Sequence, residues 1–410
     1  MENRIAAAIR KKMAETDTPF YLYDQVTIRD RARQLRRDFA DCEFLYSIKT
    51  NPFLPVVQTL VAEGFGIDAA SLREVEIGAA LGVEKEQILY SAPGKTDADI
   101  AAAMDRSILV ADSLGELERI EALAAERGER LEVGVRVNPN FTMDDPDHGA
   151  GGKFGIDEEQ LFAYDFGRLP HLTLIGLHVH ARSQELSASV LRRYYENLFA
   201  LAERCQERLP LDLRFLNMGG GLGIPYSTAN DHELDTAALG LETAAMLAGL
   251  RERLGKVRII IETGRYVAGP AGCYCTRIVD IKESYGKKYL IARSTLNGFL
   301  RPSLARLVAA YAPAGTVPKG NEPLFTKYDA FDFLLLTDET ETETVELCGN
   351  LCTGTDIMAS ALTLPRAKVG DILVVTKAGS YAYVLTPVQF SSQPVPEQFL
   401  LTADGRFLDR

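Results

Sequence analysis

Lys49 stands directly behind a run of apolar and aromatic residues that includes Phe44, Leu45, Tyr46 and Ile48. Lysine is among the residues least often fully buried, so this position has two interpretations. In the first, Lys49 ends a core strand and its amine reaches back to water. In the second, it is a catalytic amine whose pKa is lowered by hydrophobic surroundings. The other strand ends of the chain decide between them.

Further residues capable of chemistry follow similar apolar runs, each at the carboxyl end of a predicted strand. In chain order they are Asp68 and Ser71, Gly94 and Lys95, Asp112 and Ser113, Arg136 and Asn138, His178 and His180, Gly219 to Gly221, and Glu262 with Arg265. In a parallel barrel the carboxyl ends of all strands meet at one face, where the active site is built. We therefore expect these side chains to lie together.

Two glycine-containing segments predict where an anion would bind. MGGGLG follows the seventh predicted strand and ETGR follows the eighth. Glycine lets backbone N–H groups approach a phosphate closely, and Arg265 adds a charge-assisted contact. The dinucleotide pattern is excluded because Ile224 stands where its third glycine belongs. A plain strand-to-helix turn is the alternative explanation of the glycines.

A lysine amine, a phosphate cradle and a carboxylate on one face suit pyridoxal phosphate. Glu262 would hold the pyridine nitrogen protonated, and His180 or His178 would stack on the ring. A second interpretation makes the His-x-His pair ligands of a catalytic zinc in a barrel hydrolase. The other three histidines lie at no predicted strand end, so that zinc would need a carboxylate as its third ligand. We expect no metal.

Alternating β-type runs and helical patterns between residues 42 and 264 must position these residues. The predicted strands are 42–48, 65–71, 88–93, 108–113, 131–138, 172–180, 213–218 and 257–262. Eight such units predict an α/β fold with a parallel (β/α)8 barrel of the TIM type, although a doubly wound open sheet would use the same units. After residue 270, short β-type segments between turn residues predict an all-β domain.

Two domains are expected. The barrel would cover 27–270, and the β-rich domain would combine 271–410 with 1–26, whose strand-like PFYLYD would join it. The net charge of −12 argues against nucleic acid and anionic membrane surfaces as partners. No apolar run of about 18 residues and no signal-peptide pattern is present. The six cysteines are scattered without a CxxC pair, which predicts reduced thiols and a cytoplasmic protein.

A series of motifs in this order resembles the fold-type III pyridoxal phosphate decarboxylases, the family of the diaminopimelate and ornithine decarboxylases. The motifs are YSIKTN, FGIDAASLRE, SAPGKT, VRVNPN, GKFGI, GLHVHARSQ, LNMGGGLG, ETGR, LCTGTD and AGSYAY. They extend over about residues 18 to 402. The resemblance implies a barrel plus a β domain, pyridoxal phosphate as cofactor, an amino-acid substrate, and a homodimer whose active sites lie between the subunits.

The resemblance also implies roles. Lys49 would hold the cofactor, His180 would stack on its ring, and Glu262 would pair with the pyridine nitrogen. Cys352 of the partner subunit would return a proton after carbon dioxide leaves. The phosphate would be bound by Ser183, Gly221, Gly264, Arg265 and Tyr381, and the expected cofactor-binding set is completed by Asp68, Arg136 and Gly220.

The chain departs from the family pattern at the substrate end. Thr353 stands where diaminopimelate and ornithine decarboxylases carry an acidic residue after the cysteine, and Arg182 replaces a family glycine. Arg301 stands where the diaminopimelate enzymes use an arginine for the distal carboxylate of the substrate. If Arg182 faced solvent, Asp356 would be a candidate for the missing carboxylate.

These departures predict an amino acid or conjugate with a distal carboxylate as substrate. The ending AGSYAYVLTPVQFSSQPVPEQFL is more similar to the branch that serves siderophore and antibiotic pathways. The alternative is a meso-diaminopimelate decarboxylase of lysine biosynthesis. An amino-acid racemase of the same fold type is disfavoured by Cys352, and a non-catalytic relative is disfavoured because both Lys49 and Cys352 are present.

Overall fold

The computed structural model describes residues 1–226, 231–311 and 331–409. Its strands are β1 (Phe20–Asp24), β2 (Glu43–Ser47), β3 (Gly66–Ala69), β4 (Ile88–Ser91), β5 (Ile108–Ala111), β6 (Leu131–Asn138), β7 (Ile156–Asp157), β8 (Leu172–His178), β9 (Leu211–Asn217), β10 (Arg258–Thr263), β11 (Gly272–Ser284), β12 (Lys287–Ala292), β13 (Phe333–Leu336), β14 (Thr342–Gly349), β15 (Ile357–Pro365), β16 (Ile372–Val375), β17 (Glu397–Leu401) and β18 (Phe407–Leu408). Its α-helices are α1 (Asn3–Glu15), α2 (Gln25–Asp38), α3 (Leu54–Ala62), α4 (Leu72–Ala80), α5 (Asp97–Ala103), α6 (Leu114–Arg127), α7 (Glu158–Ala163), α8 (Ala188–Arg208), α9 (Thr236–Leu254), α10 (Arg265–Ala268) and α11 (Leu300–Tyr311).

Eight parallel strands close into a barrel. Their order is β5-β4-β3-β2-β10-β9-β8-β6, and β5 also pairs with β6, so the ring has no free edge. All eight predicted strands are found, and the closing β5–β6 ladder excludes the open doubly wound sheet. The predicted fold class, a barrel with a second β-rich part, is confirmed.

The barrel interior is filled by the ring of Phe215 on β9. Gly176 on the adjacent strand β8 and Gly134 on β6, the next strand along, make room for it, since a Cβ atom on Gly176 would lie 2.2 Å from the ring. Leu45 and Ile260 pack in the same cluster. Side chains alternate along a strand, so residues two positions further on point the same way. This layer is therefore the floor below the polar residues that follow it.

The second sheet brings distant parts of the chain together. Its central path is β15-β14-β12-β11-β1-β17-β18, while β16 pairs with β11 and β13. Strand β1, from the predicted PFYLYD segment, lies antiparallel to β11 and parallel to β17. Helix α1 covers one face of this sheet through Ile9 and Met13, which pack with Phe20 and Phe399. Within the described residues, no helix is long and apolar enough to cross a membrane.

Three of the residues at strand ends, Ser71, Ser113 and Lys95, have structural roles. Ser71 and Ser113 are the N-caps of α4 and α6, and each side-chain oxygen accepts a hydrogen bond from the backbone N–H three residues later. Lys95 forms a buried ion pair with Glu116 at 2.6 Å, and its amine also donates to the carbonyl oxygens of Ala92 and Val110. These side chains therefore stabilise loops and helix ends.

Candidate active site

A cavity of about 790 Å³ opens at the carboxyl ends of the barrel strands. Most of the residues expected to bind the cofactor or substrate line it. They are Lys49, Asp68, Arg136, His178, His180, Arg182, Ser183, Gly220, Gly221, Glu262, Gly264, Arg265 and Tyr381. The topology of parallel strands thus brings together residues that are far apart in the chain.

Lys49 lies in a short helical turn, Ile48–Thr50, directly after β2. Its amine donates to Asp68 Oδ2 at 2.8 Å, and its side chain is 41% exposed because it extends into the cavity. Burial would lower the pKa of Lys49, but the negative charges of Asp68 and Glu262 outweigh it and raise the pKa above its ordinary value. The expectation that hydrophobic surroundings lower the pKa of Lys49 is therefore wrong for the protein without its cofactor.

Glu262 is buried near the end of β10 and accepts a hydrogen bond from Asn217 Nδ2 at 2.8 Å. Burial and the nearby charge of Asp68 raise the pKa of Glu262 to about 7. His178 Nε2 lies 3.2 Å from Glu262 Oε1, and His178 Nδ1 lies 2.8 Å from Ser91 Oγ. A carboxylate held in place by Asn217 can pair with a protonated ring nitrogen.

His180 faces a different partner. Its Nδ1 accepts a hydrogen bond from the backbone N–H of Gly220 at 3.0 Å. Burial, together with the charges of Arg136 and Lys49, lowers the pKa of His180 to about 3. The ring is therefore neutral, and it is placed for contact with a flat ligand. Among the residues that the structure describes, no group of three or more His, Cys, Asp or Glu side chains could hold a metal ion.

Arg265 begins α10 and lines the cavity. Its Nη1 donates to the hydroxyl oxygen of Tyr226 at 2.7 Å, and its guanidinium lies 4.8 Å from the ring centroid of Tyr381. Its Nη2 is buried and has no hydrogen-bond partner in the described parts of the chain. Gly221 has a φ of 130°, which only glycine adopts readily. A guanidinium nitrogen without a partner, on a cavity wall that also includes Gly221 and Gly264, is suited to a phosphate.

Arg136 contributes a further charge to the wall of the cavity. Its Nη1 lies 3.5 Å from Asp112 Oδ1, and its guanidinium lies 4.5 Å from the ring centroid of Phe154. Asp112 Oδ2 also accepts a hydrogen bond from the backbone N–H of Gly155 at 3.1 Å. The GKFGI segment is thereby held against the cavity.

Two of the expected substrate contacts differ from their predicted roles. Arg182 lines the cavity, but its guanidinium is paired with Asp144 at 2.7 Å and with Glu185, so its charge is already balanced. Asp356 is buried and accepts from the backbone N–H groups of Leu296 and Leu351, both at 3.0 Å. It stabilises its own turn and is not in the cavity lining.

Arg301 is buried behind the cavity and does not line it. Its Nη1 donates to the hydroxyl oxygen of Tyr226 at 3.1 Å and to the carbonyl oxygen of Ser380 at 3.3 Å. Cys352 is exposed, and neither it nor Thr353 is among the residues that line the cavity of their own chain. The Thr353 hydroxyl lies 2.9 Å from that of Thr355.

Sequence reasoning missed Asn217, Ser91 and Tyr226. Asn217 and Ser91 are the last residues of β9 and β4, so the same strand-end rule applies to them. Tyr226 lies beyond the glycine segment in a loop, where no spacing pattern indicates its contact with Arg265.

Comparisons with known proteins agree with this geometry. A family model described as "Pyridoxal-dependent decarboxylase, pyridoxal binding domain" matches residues 25–269. The diaminopimelate decarboxylase of Methanothermobacter thermautotrophicus is 29% identical, over 94% of this chain and 87% of that protein. The 2-[(L-alanin-3-ylcarbamoyl)methyl]-2-hydroxybutanedioate decarboxylase of Staphylococcus aureus is 26% identical, over 93% of this chain and 94% of that protein. The crystal structure of the Helicobacter pylori diaminopimelate decarboxylase complexed with L-lysine has the same fold, with a TM-score of 0.82 at 24% identity, covering 97% of this chain and 95% of that one.

A closed parallel barrel with a lysine, two carboxylates and a phosphate-type pocket at its mouth defines a cofactor-dependent enzyme of amino-acid chemistry. The family match covers more than half of the chain, which therefore belongs to the pyridoxal-dependent decarboxylases. Its cofactor is pyridoxal phosphate. The residues present fit this group, because the unpaired Arg265 Nη2 offers a donor for the phosphate and Glu262 a partner for the ring nitrogen.

Proposed function

We propose that this enzyme decarboxylates an amino acid or amino-acid conjugate that carries a distal carboxylate, in a natural-product pathway such as siderophore biosynthesis. The observation that carries the proposal is Thr353, which follows Cys352 in place of the acidic residue of the ornithine and diaminopimelate enzymes. Without that carboxylate, a distal ammonium group has no charged partner at this position. The Staphylococcus aureus relative, whose name specifies a substituted butanedioate, supports the proposal.

Each of these cavity residues has a separate role in the proposed reaction. Pyridoxal phosphate, when bound, supplies an electron sink for the bond to the departing carboxylate. Lys49 would hold the cofactor through its amine. Glu262, fixed by Asn217 and flanked by His178, would pair with the ring nitrogen and keep it protonated. His180 would contact the ring, and Arg265 would bind the phosphate.

Cys352 has the role of acid in this proposal. It is exposed and outside the cavity lining of its own chain, which supports its action in the site of a second copy. Its thiol would give a proton to the carbon that has lost carbon dioxide, and it would face the cavity from the other subunit. The enzyme is then a homodimer with shared active sites.

The proposal does not rely on Arg182 and Arg301, the two cations expected at the distal carboxylate of the substrate. Arg182 is neutralised by Asp144 and Glu185, so the proposal no longer depends on its charge. Arg301 shares the hydroxyl of Tyr226 with Arg265, at the end of the cavity assigned to the phosphate, so the proposal no longer depends on Arg301 as a partner of the distal carboxylate. Thr353 affects the choice of substrate because it provides no carboxylate for a distal ammonium group. This argument does not depend on either arginine.

The substrate is tested by comparing kcat/KM for ornithine, lysine, meso-diaminopimelate and a citryl-diamino acid. A charge-assisted contact is worth about 1.5–3 kcal/mol, so ornithine and lysine should be turned over roughly ten- to hundredfold less well than the best carboxylated substrate. Ornithine or lysine as the best substrate would overturn the proposal. Meso-diaminopimelate as the best substrate would select the alternative, a diaminopimelate decarboxylase, which the Methanothermobacter thermautotrophicus relative supports.

A matched pair of variants tests the role of position 353 directly. Thr353→Asp should raise kcat/KM for ornithine by about tenfold or more, because it adds a charge-assisted partner for the distal ammonium group. Thr342→Asp places the same charge at an exposed position at the start of β14, outside the cavity lining, and should have little effect. Equal effects of the two variants would mean that a general change in surface charge is responsible.

A further inference from the structure

Tyr226 lies directly behind the phosphate end of the cavity, in the segment that follows the glycines. It is buried, and its hydroxyl oxygen lies 2.7 Å from Arg265 Nη1 and 3.1 Å from Arg301 Nη1. The guanidinium groups of Arg265 and Arg301 lie 5.6 and 4.8 Å from the centroid of its ring. One phenol oxygen therefore contacts two buried cations.

The contact with Tyr226 determines the orientation of Arg265. An arginine side chain has several rotatable bonds, and its planar fork gives specific contacts only when the plane is fixed. Tyr226 fixes Nη1, and the ring of Tyr381 lies 4.8 Å from the guanidinium on the cavity side. The buried Nη2 is left without a partner among the described residues, so it is the donor of Arg265 that no protein group uses, and Arg265 itself lines the cavity.

The same contact relieves repulsion between two like charges. Arg265 and Arg301 are both buried, and burial together with the nearby charge of Arg265 lowers the pKa of Arg301. Burial alone would raise the pKa of Tyr226, but the two guanidinium groups outweigh it and lower the pKa to about 7. The phenol oxygen is thus a strong acceptor, and its partial negative charge stabilises both cations.

We infer that Tyr226 is a positioning residue for the cofactor phosphate: its hydroxyl orients Arg265 so that Nη2 meets the phosphate. The inference rests on the cofactor of the family and is independent of the proposed substrate. Tyr226 does not line the cavity, and it acts only through Arg265.

Equilibrium binding of two ligands to the cofactor-free protein tests the inference. Tyr226→Phe keeps the ring but removes the acceptor, so the affinity for pyridoxal phosphate should fall roughly ten- to hundredfold. The affinity for pyridoxal, which lacks the phosphate, should change little. The ratio of the two dissociation constants is independent of how much of a variant is correctly folded.

The chain offers a matched control. The hydroxyl oxygen of Tyr266 accepts from Arg31 Nη1 at 3.1 Å, away from the cavity, so Tyr266→Phe removes a similar bond and should leave the ratio unchanged. In an Arg265→Met background, Tyr226→Phe should have no further effect on the ratio. An unchanged ratio in Tyr226→Phe alone, or an equal loss of affinity for both ligands, would overturn the inference.

Discussion

The ion pair between Lys49 and Asp68 sets the state of the cofactor-free enzyme. Because Asp68 and Glu262 raise the pKa of Lys49, its amine is protonated at neutral pH. A protonated amine is not a nucleophile, so covalent attachment of the cofactor needs the proton to leave first. The carboxylates that hold Lys49 in place therefore also slow its reaction.

This arrangement predicts how cofactor attachment depends on pH. The neutral fraction of an amine rises about tenfold for each pH unit below its pKa. The rate of attachment to the cofactor-free protein should therefore increase steadily from pH 7 to 9, as measured by the change in visible absorption after rapid mixing. Asp68→Asn removes one of the charges that raise the pKa of Lys49 and should shift this profile to lower pH. A rate that does not change with pH would show that the proton is not limiting.

A second prediction concerns the identity of the attached lysine. Lys49 and Lys153 both line the cavity, but of these two lysines only Lys49 forms an ion pair with Asp68. Reduction of the loaded enzyme with borohydride should fix the cofactor to the peptide that contains Lys49, as identified by mass spectrometry. Lys153→Ala should still be labelled, and Lys49→Ala should not. Labelling of Lys153 in the unmodified enzyme would contradict the proposed site.

The residue scale also shows where sequence reasoning works. The strand-end rule places Lys49, Asp68 and Glu262 in one cavity because the carboxyl ends of parallel strands meet. It does not distinguish Ser71 or Lys95, whose side chains cap a helix or pair with a buried glutamate. Residues just beyond a strand no longer follow its alternation, so their direction depends on the loop conformation. The pairing of Arg182 with Asp144 could not be predicted for the same reason, because Arg182 lies in the loop beyond its strand.

At the scale of elements, the barrel depends on one large side chain that faces two glycines. The apolar runs predict the strands, but they do not predict which residue fills the interior, because that depends on the register between neighbours. Gly176 is opposite Phe215 in the β8–β9 ladder. A continuous apolar strand is compatible with several such arrangements, and only the closed barrel selects one.

This packing predicts a specific loss of stability. Gly176→Ala places a Cβ atom 2.2 Å from the Phe215 ring, and overpacking of this kind typically costs about 1–3 kcal/mol of unfolding free energy. Denaturant unfolding should show this loss, and Phe215→Leu should partly relieve it in the double variant. Gly115→Ala is the control, because that helical glycine faces open space and gains about 0.5–1 kcal/mol from alanine. Equal effects at both glycines would contradict the packing argument.

At the scale of the whole molecule, the proposal requires two copies of the chain. Mixing inactive Lys49→Ala and Cys352→Ala proteins and allowing subunit exchange should restore activity. About half of the dimers would be mixed, each with one intact site, so about a quarter of the normal activity is expected. Lys49→Ala mixed with the Lys49→Ala/Cys352→Ala double variant contains no intact site and should stay inactive. Demonstrated exchange without recovery would place the whole site in one subunit.

Strand β1 has a consequence for how the chain folds during synthesis. It lies between β11 and β17, so its ladder partners are made long after it. Domains generally fold as units in the order of synthesis, and the barrel strands are complete once β10 has emerged. Until β11 and β17 have also emerged, β1 is an unpaired, apolar segment, FYLYD, attached to the barrel, and an unpaired strand of this kind is open to pairing with other chains. We expect a ribosome-bound chain of which residues 1–270 have left the exit tunnel to bind chaperones through this segment, and release of β17 to end that contact.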